Sequence, residues 1–211
     1  MLPVDLATLG TFLIAAGAVV LSPGPDTLLI IRHTLNSGQR VGLATVSGVQ
    51  LGLLVHTTLA VAGISVIIAS SPMLFHIIAS AGAAYLAWLG FQAIRGDGGI
   101  DVNGGKGKPV SAAKACRDAL LCNVLNPKVI LLFLALFPNF VDTTRDDVTA
   151  QLITLAVLLI IINLAWQMPI AWMAERIRRW LNAPAVQKTV NRATGAIFLG
   201  FAALMLYENL V

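Results

Sequence analysis

Long apolar segments separated by short polar ones run the length of the chain. A transmembrane helix needs about 20 mostly apolar residues, and the segments of roughly that length are listed here: 6–31, 43–69, 73–94, 119–141, 149–173 and 193–210. The last is the weakest, because Glu208 shortens its apolar run. The pattern predicts an all-α integral membrane protein with six transmembrane helices.

Two of these segments, the first and the fourth, are interrupted by proline. Residues 22–26 read Ser-Pro-Gly-Pro-Asp, and residues 123–128 read Asn-Val-Leu-Asn-Pro-Lys. Proline lacks the N–H that a helix requires, and backbone freed in this way is tolerated in a membrane only where protein or a water-filled cavity satisfies it. We expect Ser22 to cap a helix restarting at Pro23, and Asn126 to cap one restarting at Pro127. Helices 1 and 4 are therefore predicted to be broken.

A Gly-rich, charged stretch divides the chain into two halves. Residues 95–118 contain Gly96-Asp97-Gly98-Gly99 and a second run of glycine and lysine, which is typical of a flexible, solvated linker. Residues 1–94 and 119–211 then hold three predicted spans each. Because an odd number of spans reverses direction, the halves are expected to form an inverted-topology repeat.

The basic residues lie almost entirely on one side of the predicted spans. Twelve of the 14 fall in alternate loops: Arg32 and Arg40; Arg95, Lys106, Lys108, Lys114 and Arg117; and Arg176, Arg178, Arg179, Lys188 and Arg192. The opposite side holds only Arg145. The positive-inside rule places the basic loops in the cytoplasm and both termini outside. Since no Lys or Arg precedes the first segment, we interpret it as an uncleaved span.

The composition agrees with a membrane protein and excludes several other classes. The chain is 57% hydrophobic and 11% charged, with a mean hydropathy of +0.84, whereas soluble domains are about 25% charged. The net charge of +4 arises from the topology of the loops and does not indicate nucleic-acid binding. Two cysteines are too few for a disulfide framework, and with three scattered histidines they do not make a metal site. No cofactor is predicted.

Asp26 and Lys128 are the charged residues expected to lie deep in the membrane. They are six and eleven residues from the nearest cytoplasmic basic positions, or roughly 9 and 16 Å along a helix. An unpaired charge at that depth costs several kcal/mol and usually marks a function. Three other interpretations remain: Asp26 as a helix-terminal acid at the interface, Lys128 as a snorkelling lysine, or the two as a purely structural pair.

Other deep polar residues are weaker candidates. Gln50, Asn163 and Gln167 each fall within a span, and at least one is expected to line a cavity. His56 is in helical register with Gly48 and Gly52, whose spacing indicates close helix packing. We therefore interpret His56 mainly as a packing residue and only weakly as a proton relay.

Four sequence motifs together resemble the lysine exporter/homoserine-threonine resistance (LysE/RhtB) family over essentially the whole chain. The similarity is carried by residues 22–26, the spaced glycines from Gly38 to Gly52, Tyr85-Leu-Ala-Trp-Leu-Gly90, and residues 123–128. Membership would imply a bacterial inner-membrane exporter of amino acids or close derivatives, driven by the proton-motive force. It would also imply central roles for the Pro-Gly-Pro-Asp and Asn-Pro-Lys segments.

The resulting hypothesis is a secondary transporter, not an enzyme, that exports a small zwitterionic amino acid by proton antiport. Asp26 would take the ammonium, the proton or both in alternation, and the carboxylate would meet the restarted helix near Lys128. The remaining assignments divide into binding (Asn126, Asn123, Ser22 and Gln50), helix breaks or gating (Pro23, Gly24, Pro25 and Pro127) and a weak proton-coupling role (His56). The partners are the substrate, protons and the lipid bilayer.

Two other functions remain open. Distant relatives of the resembled family move cations, so a metal or cation exporter is the first alternative. An intramembrane enzyme is the second, with Ser22 and His56 as the only pair to propose and no Gly-x-Ser-x-Gly elbow to support them. Assembly into a homo-oligomer is also left open.

Overall fold

A computed structural model describes residues 3–70, 109–181 and 183–210, together with separate positions between 73 and 95. Within those ranges every regular element is a helix. The predicted third span is described only at those separate positions, and residues 96–108 of the predicted linker lie outside the described residues. The linker prediction is wrong at its end, because the chain is helical from Ala112, after a Ser111 cap. The all-α prediction is confirmed for the part of the chain that the structure describes.

The helices follow in chain order with short connections. They are α1 (Leu6–Leu21), α2 (Pro25–Ser37), α3 (Gln39–Ser70), α4 (Ala112–Val124), α5 (Pro127–Leu131), α6 (Val148–Trp172), α7 (Ala174–Leu181) and α8 (Pro184–Leu210). Beyond α5 the chain continues as a π-helical turn over Leu132–Leu136 and a 3-10 turn over Phe137–Phe140. Gly38, with φ of 87°, ends α2 in a conformation that favours glycine.

Two helices among the described residues are long and apolar enough to cross a membrane alone. They are Gln39–Gly63, within α3, and Val148–Trp172, which is α6. Two further spans follow if each bent pair counts as one: Leu6–Leu21 with Pro25–Ser37, bent by 52°, and Ala112–Val124 with Lys128–Phe140, bent by 57°. The described part of the chain thus provides two to four spans, and a total of six stays a prediction.

The first helix break differs from the prediction in its capping. Ser22 ends α1, its N–H donating to the Ala18 carbonyl at 3.1 Å, and α2 begins only at Pro25, after an extended Gly24 with no side-chain cap. The expectation that Ser22 caps a helix restarting at Pro23 is therefore wrong. The reason is that Pro25 disfavours helical backbone at the residue before it, so only the second proline can be a first helical residue.

The second break has the predicted capping. The Asn126 side-chain oxygen accepts from the Lys128 N–H at 3.0 Å, and Pro127 is the first residue of α5. Asparagine at the cap and proline at the first helical position are the residues that these places favour.

Helices α3 and α4 lie unusually close together along a glycine face, which we call the α3–α4 seam (Gly48 and Gly52 against Cys116, Ala119 and Asn123). A Cβ added to Gly48 would fall well inside van der Waals contact of the Cys116 carbonyl oxygen, and one on Gly52 would meet Asn123. The close-packing role predicted for these glycines is thus seen in the structure. The seam brings α3 against the residues just before the second break.

The apolar core lies where α1, α6 and the chain after α5 meet. Phe12 packs edge-on against Phe137 with ring centroids 5.5 Å apart, and Phe133 stacks on Phe137 at 4.4 Å. Leu152, Leu155 and other apolar residues complete this cluster. A second cluster joins α2, α3, α4 and α6. The two clusters hold both broken helices against α6.

Gln151 closes the loop before α6. Its side-chain oxygen accepts from the Asp142 N–H at 2.8 Å, and its amide donates to the Asp142 carbonyl and to the Asp147 carboxylate. The hydrogen bond from Gln151, together with Arg145, holds the pKa of Asp147 below its ordinary value. One buried amide therefore orders a loop that is exposed to solvent.

Candidate functional site

The two helix breaks meet at the carboxylate of Asp26. Its Oδ2 accepts hydrogen bonds from the side-chain amides of Asn123, at 2.9 Å, and of Asn126, at 3.3 Å. Asp26 is in the first turn of α2 and only 8% exposed, whereas its two donors end α4 and cap α5. Residues about 100 positions apart in sequence thus form one polar site.

The second carboxylate oxygen of Asp26 is buried and has no hydrogen-bond partner among the residues that the structure describes. A buried acceptor without a partner costs free energy comparable to a lost hydrogen bond, and more where the group is charged. Such an atom needs a proton, a water molecule or a cationic ligand. Asp26 is therefore suited to bind an ammonium group or to exchange a proton.

Lys128 is tied to the first break through the main chain. Its ammonium donates a short hydrogen bond to the Ser22 carbonyl, and a Cβ on Gly24 would lie 3.6 Å from Lys128 Cδ and 3.7 Å from its Nζ. The structure forms no ion pair of 4.0 Å or less between Lys128 and Asp26, although both are fully described. The acid and the base thus share a site and keep separate partners.

A cavity of about 40 Å³ opens between these groups, which is room for about three water molecules. The polar lining consists of Ser22, Gly24, Asp26, Thr27, Asn126, Lys128, Asn163 and Gln167. Val20, Leu53, Leu132 and Leu159 are among the apolar residues of its wall. The cavity therefore combines one acid, one base and neutral polar groups with an aliphatic surface.

Three predicted candidates lie beside the cavity without lining it. Asn123 donates to Asp26 and is not itself among the residues that line the cavity. The His56 ring nitrogen Nε2 is 3.2 Å from the Asn123 carbonyl, which also accepts from the Asn126 N–H at 3.0 Å, and the ring stacks on Phe133 with centroids 5.5 Å apart. His56 thus contacts the second break, and its role as a packing residue stays a prediction.

Gln50, the third, reaches the cavity through two other amides. Its Nε2 donates to Asn163 Oδ1 at 2.9 Å and to Gln167 Oε1 at 3.1 Å. Asn163 and Gln167 line the cavity, while Gln50 lies behind them. Helix α6 therefore supplies the neutral polar part of the wall, and α3 orients it.

Sequence reasoning did not single out Thr27 or Cys122. Thr27 lines the cavity one residue after Asp26, and the Cys122 thiol lies beside the Asp26 carboxylate. No motif marks either residue. Their positions next to Asp26 and Asn123 in the chain were the only signal available.

Comparisons with known proteins agree with this arrangement. A family profile described as "LysE type translocator" matches residues 17–209. The homoserine/homoserine lactone efflux protein of Salmonella typhimurium is 32% identical, over 92% of this chain and 93% of that protein. The leucine efflux protein of an Enterobacter species is 28% identical over 92% of each chain. An uncharacterized membrane protein of Vibrio cholerae is 32% identical, over 92% and 94%. No solved structure gives a significant match.

Proposed function

The chain belongs to the LysE type translocator family, and we propose that it exports a small amino acid, or a close derivative, across the bacterial inner membrane by proton antiport. The observation that carries the proposal is the buried Asp26, with one oxygen held by two asparagines and the other without a hydrogen-bond partner in the described part of the chain. It lies where two broken helices meet at a cavity, which is the usual location of a substrate site in secondary transporters.

The substrate class follows from the charges of the cavity and from the relatives. A zwitterion presents one ammonium and one carboxylate, and Asp26 and Lys128 are complementary to them. The printed names of two relatives refer to homoserine, homoserine lactone and leucine efflux. These compounds share an amino group, to which Asp26 is complementary, and a short carbon chain, which suits the aliphatic part of the wall.

Coupling requires that proton and substrate exclude each other at Asp26. Facing the cytoplasm, the carboxylate loses its proton and binds the substrate ammonium. Facing outside, it takes a proton, and the substrate, now without its counter-charge, leaves. One proton enters for each substrate released, and no nucleotide or metal is needed for this exchange.

The two alternatives have less support. No group of three or more His, Cys, Asp or Glu side chains that could hold a metal ion occurs among the described residues. His56, the partner that an intramembrane serine enzyme would need, has its Nε2 engaged with the Asn123 carbonyl. Neither observation suggests a cation pathway or a nucleophile.

Export is tested by a panel of amino acids in cells that overproduce the protein. We expect intracellular loading with dipeptides to give faster appearance of homoserine, threonine or leucine in the medium than in cells with an empty vector. The rate should fall when the proton gradient is collapsed. Export of none of the panel would contradict the proposal, and export that persists without a gradient would contradict antiport.

The proposed topology has six spans in two inverted halves, with both termini outside. A reporter active only in the cytoplasm should be active when fused after residue 104 and silent after Val211. The physical reason is the concentration of basic residues in alternate loops. A silent fusion at 104 with an active one at Val211 would reverse the orientation.

A further inference from the structure

We propose that Gln50 fixes Asn163 and Gln167 so that their amino groups face the cavity, making this wall a subsite for side chains with a hydrogen-bond-accepting oxygen. The inference rests on the proposed function and adds the class of substrate side chain. Its ligands are small amino acids that carry a hydroxyl, ether or carbonyl oxygen.

The direction of the amides follows from the hydrogen bonds of Gln50. A glutamine amino group only donates, and here Gln50 Nε2 donates to the oxygens of both α6 amides. In a planar carboxamide the nitrogen and the oxygen point in different directions from the carbon that they share. With both oxygens turned toward Gln50, the amino groups of Asn163 and Gln167 are left to face the cavity that these residues line.

Neither amino group has a protein partner among the described residues. In this part of the chain Asn163 Nδ2 and Gln167 Nε2 form no hydrogen bond to the protein, and neither nitrogen is completely enclosed by protein atoms. Gln167 is nevertheless only 2% exposed. A donor with so little access to bulk water gains most from a ligand or an ordered water in the cavity.

The subsite is separate from the charged end of the cavity. Asp26 belongs to α2 and Lys128 to α5, whereas both amides belong to α6. Leu53 and Leu159 complete the wall. A substrate with its ammonium and carboxylate at the charged end would therefore extend a short aliphatic chain, ending in an oxygen, toward the amides.

The first test compares homoserine with norvaline, which replaces the hydroxyl by a methyl group. We expect the wild-type protein to export homoserine faster, and Asn163→Leu, similar in volume, to reduce the homoserine-to-norvaline ratio about tenfold, the equivalent of one hydrogen bond. Ser47→Ala is the matched control and should keep the wild-type ratio, because Ser47 lies one turn from Gln50 on α3 and its hydroxyl donates to Leu43 of the same helix.

The second test asks whether Gln50 sets the direction of the amides. Gln50→Glu offers only acceptors, so both α6 amides should turn their amino groups toward it and their oxygens into the cavity. This variant should lose the preference for O-methylhomoserine over norleucine, since an ether cannot donate a hydrogen bond to the amide oxygens. It should keep the preference for homoserine over norvaline, since a hydroxyl can donate to them. A purely structural role of Gln50 would change both preferences together.

Each outcome bears on the proposal. Wild-type export of homoserine and norvaline at equal rates, or an unchanged ratio in Asn163→Leu, would overturn the subsite, and the latter would indicate that the amides bind the carboxylate instead. An unchanged ether preference in Gln50→Glu would overturn the orienting role. Wild-type export of leucine or threonine but of none of these four compounds would overturn the subsite alone, whereas export of none of these and none of the amino-acid panel would overturn the proposed function itself. Each export rate is divided by the amount of protein in the membrane, measured by immunoblot. If Asn163→Leu does not fold, the ether preference of Gln50→Glu tests the subsite in its place.

Discussion

Asp26→Asn is expected to abolish uphill, proton-driven export while leaving the protein folded in the membrane. The side chain keeps its shape, and its oxygen can still accept from Asn123 and Asn126, which hold Asp26 in the structure. It loses the ability to bind a proton and the charge that attracts an ammonium. Hydrogen bonds to a charged group are worth about 1.5–3 kcal/mol, so binding should weaken roughly 10- to 150-fold and coupling should disappear. Proteoliposomes with an imposed pH gradient measure accumulation directly.

Asp118→Asn is the matched control for this variant. Asp118 is a partly exposed acid on α4 that pairs with Lys114 at 2.6 Å, and pairs near the surface contribute at most about 1 kcal/mol. The control should accumulate substrate as the wild type does. Normal accumulation by Asp26→Asn would contradict the coupling role. A variant that fails to reach the membrane would instead support a structural role for the Asp26 cluster.

Lys128→Gln is expected to weaken the binding of free amino acids by about tenfold or more. Lys128 adds a positive charge beside Asp26 in a site largely shielded from water, where a charge-assisted contact with a carboxylate is strongest. The ammonium already donates to the Ser22 carbonyl, so two donors remain for a ligand. Lys128→Arg should also lose affinity, because the guanidinium is planar and wider and Gly24 packs against this side chain. Competition binding to the purified protein gives the affinities.

The control for Lys128 is a substrate that lacks the carboxylate charge. An amino-acid amide should bind the wild type weakly and lose little further affinity in Lys128→Gln. Lys114→Gln, which removes an exposed lysine from α4, should affect neither ligand. If Lys128→Gln weakens acid and amide equally, the lysine maintains the junction with Ser22 and does not recognise the carboxylate.

The sequence was most informative where a residue type has one dominant local role. Asn126 before Pro127 has the side chain and backbone of a helix start, and the structure places the cap there. The first break was harder because it contains two prolines. Either could begin a helix when considered alone, and only the constraint that Pro25 imposes on Gly24 excludes Pro23.

The composition of the cavity could be predicted only in part. Asp26 and Lys128 were found because charge in an apolar segment is costly. The same reasoning could not tell Gln50 from Asn163 and Gln167, since uncharged amides are tolerated on several faces of a span. Their roles depend on how α3 and α6 are rotated about their axes, which places Gln50 behind the wall and the other two on it. Long-range packing of this kind leaves no local signature in a single sequence.

The α3–α4 seam restricts how this protein can drift in sequence. At Gly48 the obstructing atom is the main-chain oxygen of residue 116, so no change of side chain at 116 can make room for a larger residue. At Gly52 the obstacle is Asn123, and its Cβ alone would be 2.7 Å away. Only glycine at 123 would compensate, and that change would remove the shorter of the two hydrogen bonds to Asp26. One glycine is therefore held by the backbone of its neighbour, and the other by the chemistry of the carboxylate.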